Sequence, residues 1–237
     1  MTDLTELNKY QSTISLERLL SFIAPGEKQE KIPADVLIGR YKDNILISQA
    51  FYPILSVLEI TLRNSIDTML KTKFGENWIE KELTQQTILY DYDYNSLKEA
   101  YEKTKQAYNN GYFTYGKVIA GLNFGFWISL CSKKYNVPIW TKQGCFKGVF
   151  INYPHNKQEQ IHEISKKLTS IKKLRNKIFH YEPILKHKET ILIKYEEMLE
   201  VLSYLPNDNS DMLAKTCNFK SIYGLIYGKN RHLYFRR

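Results

Sequence analysis

The sequence predicts an all-α protein. Apolar residues recur at three- and four-residue spacing through most of the chain, as in Ile54, Leu55, Leu58 and Leu62, which is the repeat of one buried helix face. No run of alternating residues is long enough to argue for a strand. With 43% hydrophobic and 14% aromatic residues, the chain is too apolar to stay disordered and has the material for a core.

A first helix is predicted over residues 4–22, ended by the turn-forming Ala24-Pro25-Gly26-Glu27. A longer one follows over 35–74, with Gly75 as its stop. Within it Glu59 and Arg63 are four apart and can pair, and Asn64 reads as a buried amide that fixes register. Residues 83–110 read as one helix with a surface rich in Tyr and Lys, closed by Asn110-Gly111. Residues 116–134 are apolar nearly all round, as a central core helix is. Pro138, Gly144, Gly148 and Pro154 make 136–156 a loop with short helical pieces. A strongly amphipathic helix spans 157–181, ended by Pro183, because the residue before a proline is pushed out of the α region. A further helix covers 188–205.

Composition shifts after Pro206, which divides the chain into a helical domain, residues 1–205, and a basic, aromatic C-terminal extension, 206–237. Residues 212–237 carry Lys215, Lys220, Lys229, Arg231, Arg236 and Arg237 without an acidic residue, interleaved with Phe219, Tyr223, Tyr227, Tyr234 and Phe235. Such a mixture can follow a phosphate backbone and stack on bases. It can equally pack its rings on the bundle and leave its charges in water; the sequence leaves both open.

The 34 Lys and Arg against 25 Asp and Glu give a net charge of +9, which favours a polyanionic partner. Three well-separated cysteines, Cys131, Cys145 and Cys217, fit neither a disulfide framework nor a zinc set, and predict a reducing, cytoplasmic setting. The acidic start of the chain lacks the pattern of a signal peptide. The longest apolar stretch, 118–131, falls short of the roughly 20 residues a bilayer requires and holds Asn123, so no membrane span is expected. His155, His162, His187 and His232 form no metal-like spacing, and neither a metal nor a cofactor is expected.

The chemistry concentrates in Leu174-Arg175-Asn176-Lys177-Ile178-Phe179-His180-Tyr181-Glu182-Pro183. A helical projection puts Ile164, Leu168, Ile171, Leu174, Ile178 and Phe179 on one apolar stripe, and Arg175 falls inside it. A guanidinium there must be paired or face an interface or a wet cleft. Asn176 and His180, four apart, share a face at the very end of the helix. RNA cleavage without metal needs a base for the 2′-OH, an acid for the leaving oxygen and positive charge on the phosphate. Histidine suits the first two roles and arginine the third. One chain offers one such histidine; two copies across a symmetric interface would bring two of each residue to one cleft, which predicts a homodimer.

The string from Arg175 to His180 resembles the R-N-x-x-x-H signature of the HEPN superfamily, and its extension through Ile184 resembles the Abi-like branch. Residues 58–64 and 116–130 are similar to that branch as well, so the likeness runs from about residue 14 to 205. The resemblance implies a helical bundle, a dimer joining two motifs, metal-independent endoribonuclease activity and a toxin role in abortive infection against phage, with a protein or RNA antitoxin. It assigns acid and base work to His180, the phosphate to Arg175 and orientation to Asn176. Lys172, Lys177, Arg63, Lys229, Arg231 and Tyr227 are further candidates for RNA contact. The alternative reading is a non-catalytic module that holds a regulatory or antitoxin RNA.

Overall fold

The computed structural model describes residues 13–28, 32–108, 111–154, 161–185, 188–206 and 208–228. Every regular element among them is a helix, so the chain is all-α over the described residues. They divide into two compact units that are discontinuous in sequence. The first comprises Met1–Leu55, Lys173–Glu196 and Asp211–Arg237, the second Ser56–Lys172 and Glu197–Ser210.

Within the stretch predicted as a first helix, the described residues hold α1, Leu16–Leu20, which the Ser15 side chain caps by accepting from Arg18 N. Residues 1–12 of that prediction lie outside the described residues. The expected turn follows: Gly26 takes φ +87°, and the Glu27 carboxylate accepts from Ala24 N (2.7 Å) and from both Arg40 terminal nitrogens (2.6 and 2.7 Å). These Arg40 hydrogen bonds hold the Glu27 carboxyl well below its usual range, at about 2.

Helix α2, Ala34–Phe74, runs for 41 residues and so for about 60 Å. Ile47, Phe51, Ile54, Leu58, Leu62, Ile66 and Met69 are buried along one face at the predicted spacing. Gly75 ends it as expected, at φ +104°, a backbone state that costs an L side chain heavily. In its second half Asp67 is buried, accepting from Trp78 Nε1 (2.9 Å) and Lys71 Nζ (2.6 Å). Asn64 is exposed, not buried: with Ile60 and Thr68 it sits on the solvent stripe set by four-residue spacing. Among the described residues no ion pair joins Arg63 to Glu59, and Arg63 Nε is enclosed without a hydrogen-bond partner. By length and composition α2 is apolar enough to cross a membrane, although half of that window is buried inside the protein, as in a core helix.

In the second unit the helix predicted over 83–110 is two, α3 (Trp78–Gln85) and α4 (Asp91–Ala107). Gln86 turns left-handed at φ +46°, and the fully buried Glu82 carboxylate takes the amides of Thr87, Ile88 and Leu89 (2.8–2.9 Å) and the Thr87 hydroxyl (2.5 Å). A side chain has replaced the backbone carbonyls as acceptor, which ends the helix without Gly or Pro. The predicted helix over 116–134 is likewise two, α5 (Tyr115–Gly121) and α6 (Phe124–Leu130). Leu122 is extended, and Asn123 Oδ1 caps α6 by accepting from Phe126 N at 3.0 Å. Both short helices bury large side chains, among them Val118, Phe126 and Trp127.

Asp93 of α4 is completely buried; its Oδ2 accepts from Ser129 (3.0 Å), Lys134 (2.6 Å) and Tyr135 (2.8 Å). Burial pushes the Tyr135 phenol far up, so it stays a donor to that carboxylate. A 3₁₀ turn (Lys133–Tyr135) follows where the 116–134 helix was predicted to end, and a π turn (Asn136–Trp140) and α7 (Cys145–Val149) realise the predicted loop with helical pieces.

Helix α8, Ile161–Phe179, and α9, Lys188–Tyr204, each continue from one unit into the other. The segment after Pro206 forms α10, Ser210–Thr216, and α11, Phe219–Tyr227. Phe219 is fully buried in the first unit, stacked on Tyr195 with ring centroids 4.0 Å apart and set against Phe51 at 4.7 Å. Over its described part this segment packs its rings inward.

Two outcomes follow. Replacing Glu82 by Ala strands the buried Ile88 and Leu89 amides and lowers unfolding stability by about 3 kcal/mol, read in urea titrations. Glu27 titrates at about 2 in the folded chain against an ordinary 4.5, so its stabilisation is complete above about pH 4.5 and fades as pH falls toward 2. A Glu27→Gln chain is accordingly less stable than its parent near neutral pH, and the gap closes in acid.

Candidate active site

The candidate site is built on the last turns of α8. Ile164, Leu168, Ile171 and Leu174 are buried as the projection predicts, which anchors the helix. Ile178 is half-buried and Phe179 is 44% exposed, so the stripe gives out before the helix ends. Arg175 is half-buried; its guanidinium lies over the Phe179 ring, 4.3 Å from the centroid, a cation–π pair at four-residue spacing.

The helix ends at Phe179, two residues before the predicted end at Tyr181. Tyr181 N donates to Ile178 O (3.0 Å) and Glu182 N to Lys177 O (2.8 Å), the two bonds of a Schellman motif, with Tyr181 left-handed at φ +59°. His180 is therefore the C-cap, its amide still bonded to Asn176 O (2.9 Å) and its side chain exposed. Glycine is the usual residue at the position Tyr181 holds, and a Cβ there costs about 1–2 kcal/mol.

Two residues that the sequence reading did not single out hold this corner, both in the same unit. Arg18 of α1 donates to His180 O (3.0 Å) and to Tyr181 O, placing positive charge at the negative end of the α8 dipole. Asn44 of α2, 4% exposed, donates to Glu182 O (3.2 Å) and accepts from the buried Ile184 N (2.8 Å). Nothing in the linear spacing of Arg18 or Asn44 marks them, because their partners lie about 140–160 positions further on. The backbone on both sides of His180 is thus fixed while its imidazole faces water.

Arg175, Asn176, Lys177 and His180 are brought together in this one corner of the first unit, with Lys177 exposed and Asn176 half-buried. Tyr227, in the same unit, is buried; its ring lies 4.9 Å from that of Tyr223 and its hydroxyl donates to Leu185 O at 3.4 Å. Lys229 and Arg231 lie outside the described residues. Arg63 and Lys172 belong to the second unit. There Lys172 Nζ rests against Gly125, where an added Cβ would lie 2.8 Å away, and borders a cavity of about 240 Å³ together with Ser96, Asn123, Ser132 and Thr169. Among the described residues no group of three or more His, Cys, Asp and Glu side chains is placed to hold a metal ion.

Comparison with protein-family models, with curated proteins and with solved structures finds no match to the chain.

Removing the Asn44 amide, as in Asn44→Ala, strands the Ile184 amide in a buried setting. The expected loss is about 2 kcal/mol of stability together with faster hydrogen exchange at Ile184; an unchanged exchange rate would count against the clamp.

Proposed function

We propose that the chain is a metal-independent endoribonuclease of the HEPN type, related to the Abi-like branch, acting in the cytoplasm as an abortive-infection toxin against phage and working as a homodimer. The observation that carries this reading is the corner itself: Arg175, Asn176 and His180 occupy the last turns of one helix, and the capped end leaves His180 exposed on a fixed backbone. An imidazole open to water on a rigid support suits proton transfer, and a permanently charged guanidinium nearby suits a phosphate.

In the proposed reaction one His180 imidazole takes the proton of a ribose 2′-OH, and the 2′-oxygen forms a bond to the adjacent phosphorus. The bond from phosphorus to the 5′-oxygen breaks, and the His180 of a second copy protonates that oxygen. The products are a 2′,3′-cyclic phosphate and a 5′-hydroxyl, with no oxidant or cofactor consumed. Arg175 neutralises the phosphate as charge builds on it, and Asn176, one turn before His180, orients the reacting groups. The net charge of +9 supports a polyanionic substrate. Lys177, with Lys229 and Arg231 of the C-terminal segment, is a proposed RNA contact, whereas the buried Tyr227 drops out as one; Lys172 and Arg63 are separate candidates in the second unit, and a protein or RNA antitoxin is the proposed restraint.

His180→Ala is expected to reduce RNA cleavage by about 100-fold or more, with the circular dichroism spectrum and melting temperature unchanged because the side chain is exposed. EDTA is expected to leave wild-type cleavage unaltered. Scission that survives in a clean His180→Ala preparation, or that stops on chelation, rules the reading out.

A further inference from the structure

Tyr181 is an aromatic residue where the backbone asks for glycine. It sits left-handed at φ +59°, a state that is an outlier for a bulky side chain. Burial does not account for it, since the residue is 74% exposed, and among the described residues its ring makes no stacking contact and its hydroxyl no hydrogen bond. Its backbone carbonyl, which Arg18 holds, would be the same for any residue. Strain kept without a packing gain points to a role for the ring itself.

The surroundings indicate what the ring meets. Phe179 is 44% exposed, with Arg175 over one of its faces. Lys173 and Lys177, four apart on α8, are exposed and have no ion-pair partner among the described residues. His180 stands between the two exposed rings in sequence. Exposed rings beside Lys173 and Lys177, unpaired among the described residues, form the kind of surface that holds a nucleic-acid strand, with bases on the rings and phosphates on the charges.

We infer that Tyr181 is a stacking platform for one unpaired base beside the phosphate held at His180, and that it selects single-stranded over duplex RNA while Lys173 and Lys177 follow the backbone along α8. The inference rests on the proposed site at His180, but it concerns binding and can be tested apart from cleavage. A base inside a duplex is already stacked on its neighbours and offers no free face to the ring.

The test uses the full chain with wild-type His180 and a fluorescent RNA 2′-O-methylated throughout, which cannot undergo 2′-OH attack, as a single strand and as a blunt duplex. Fluorescence anisotropy is expected to show about a tenfold loss of single-strand affinity for Tyr181→Gly, near-parental affinity for Tyr181→Phe, and no change for either on the duplex. Tyr181→Gly should also melt no lower than its parent, which separates loss of the ring from loss of the fold. Unchanged single-strand binding by Tyr181→Gly, an equal loss on the duplex, or no RNA binding by the parent overturns the proposal. So does a fall from a two-chain to a one-chain mass in light scattering, which would place the ring in a contact between copies. If the stacking effect appears while wild-type RNA is never cut, the platform stands and the catalytic reading falls.

Discussion

The exchange of hydrogen bonds at the end of α8 is the constraint on which the candidate site depends. A helix terminus leaves carbonyls without partners, and here the chain turns back on itself so that Tyr181 and Glu182 amides take those of Ile178 and Lys177. That closure would be fragile alone, with a non-glycine residue in the left-handed state. Arg18 and Asn44, from two other helices of the same unit, secure the carbonyls at 180, 181 and 182 and the amide at 184. The result is a rigid backbone carrying an exposed imidazole, which is what a group that must meet a substrate repeatedly in one geometry requires.

Much of the helical layout was legible because it is local. The buried face of α2 follows from the spacing of Ile47, Phe51, Ile54, Leu58 and Leu62, and its end from Gly75. The amphipathic character of α8 was equally plain through Leu174. The breaks at Gln86 and Leu122 were not, because the signals were a carboxylate that accepts amides five to seven residues ahead and an asparagine embedded in an apolar run. Glu82 reads as an ordinary helix-favouring residue until its burial is known. Asn64 failed for the opposite reason: an amide amid apolar neighbours reads as buried, yet its phase on α2 turns it outward.

For the site, the residue types and their order are visible in the string from Arg175 to His180, whereas the geometry that exposes His180 is not. Pro183 correctly forbids continuation, but the chain leaves the helix earlier, and only the Lys177–Glu182 bond reveals where. The clamping residues Arg18 and Asn44 act through space. The cation–π pair of Arg175 with Phe179 was implicit in their four-residue spacing, which on a helix brings two side chains to one face.

The boundary between the two compact units does not fall in loops. It passes between Leu55 and Ser56 within α2, between Lys172 and Lys173 within α8, between Glu196 and Glu197 within α9, and between Ser210 and Asp211 in the first turn of α10. Excising either unit as a fragment would sever each of these helices in its interior and leave ragged ends with unmet amides and carbonyls. These junctions are helical backbone, not linkers of the kind that tolerate insertion or cleavage. Two centres of compaction thus share helices that neither could keep whole by itself.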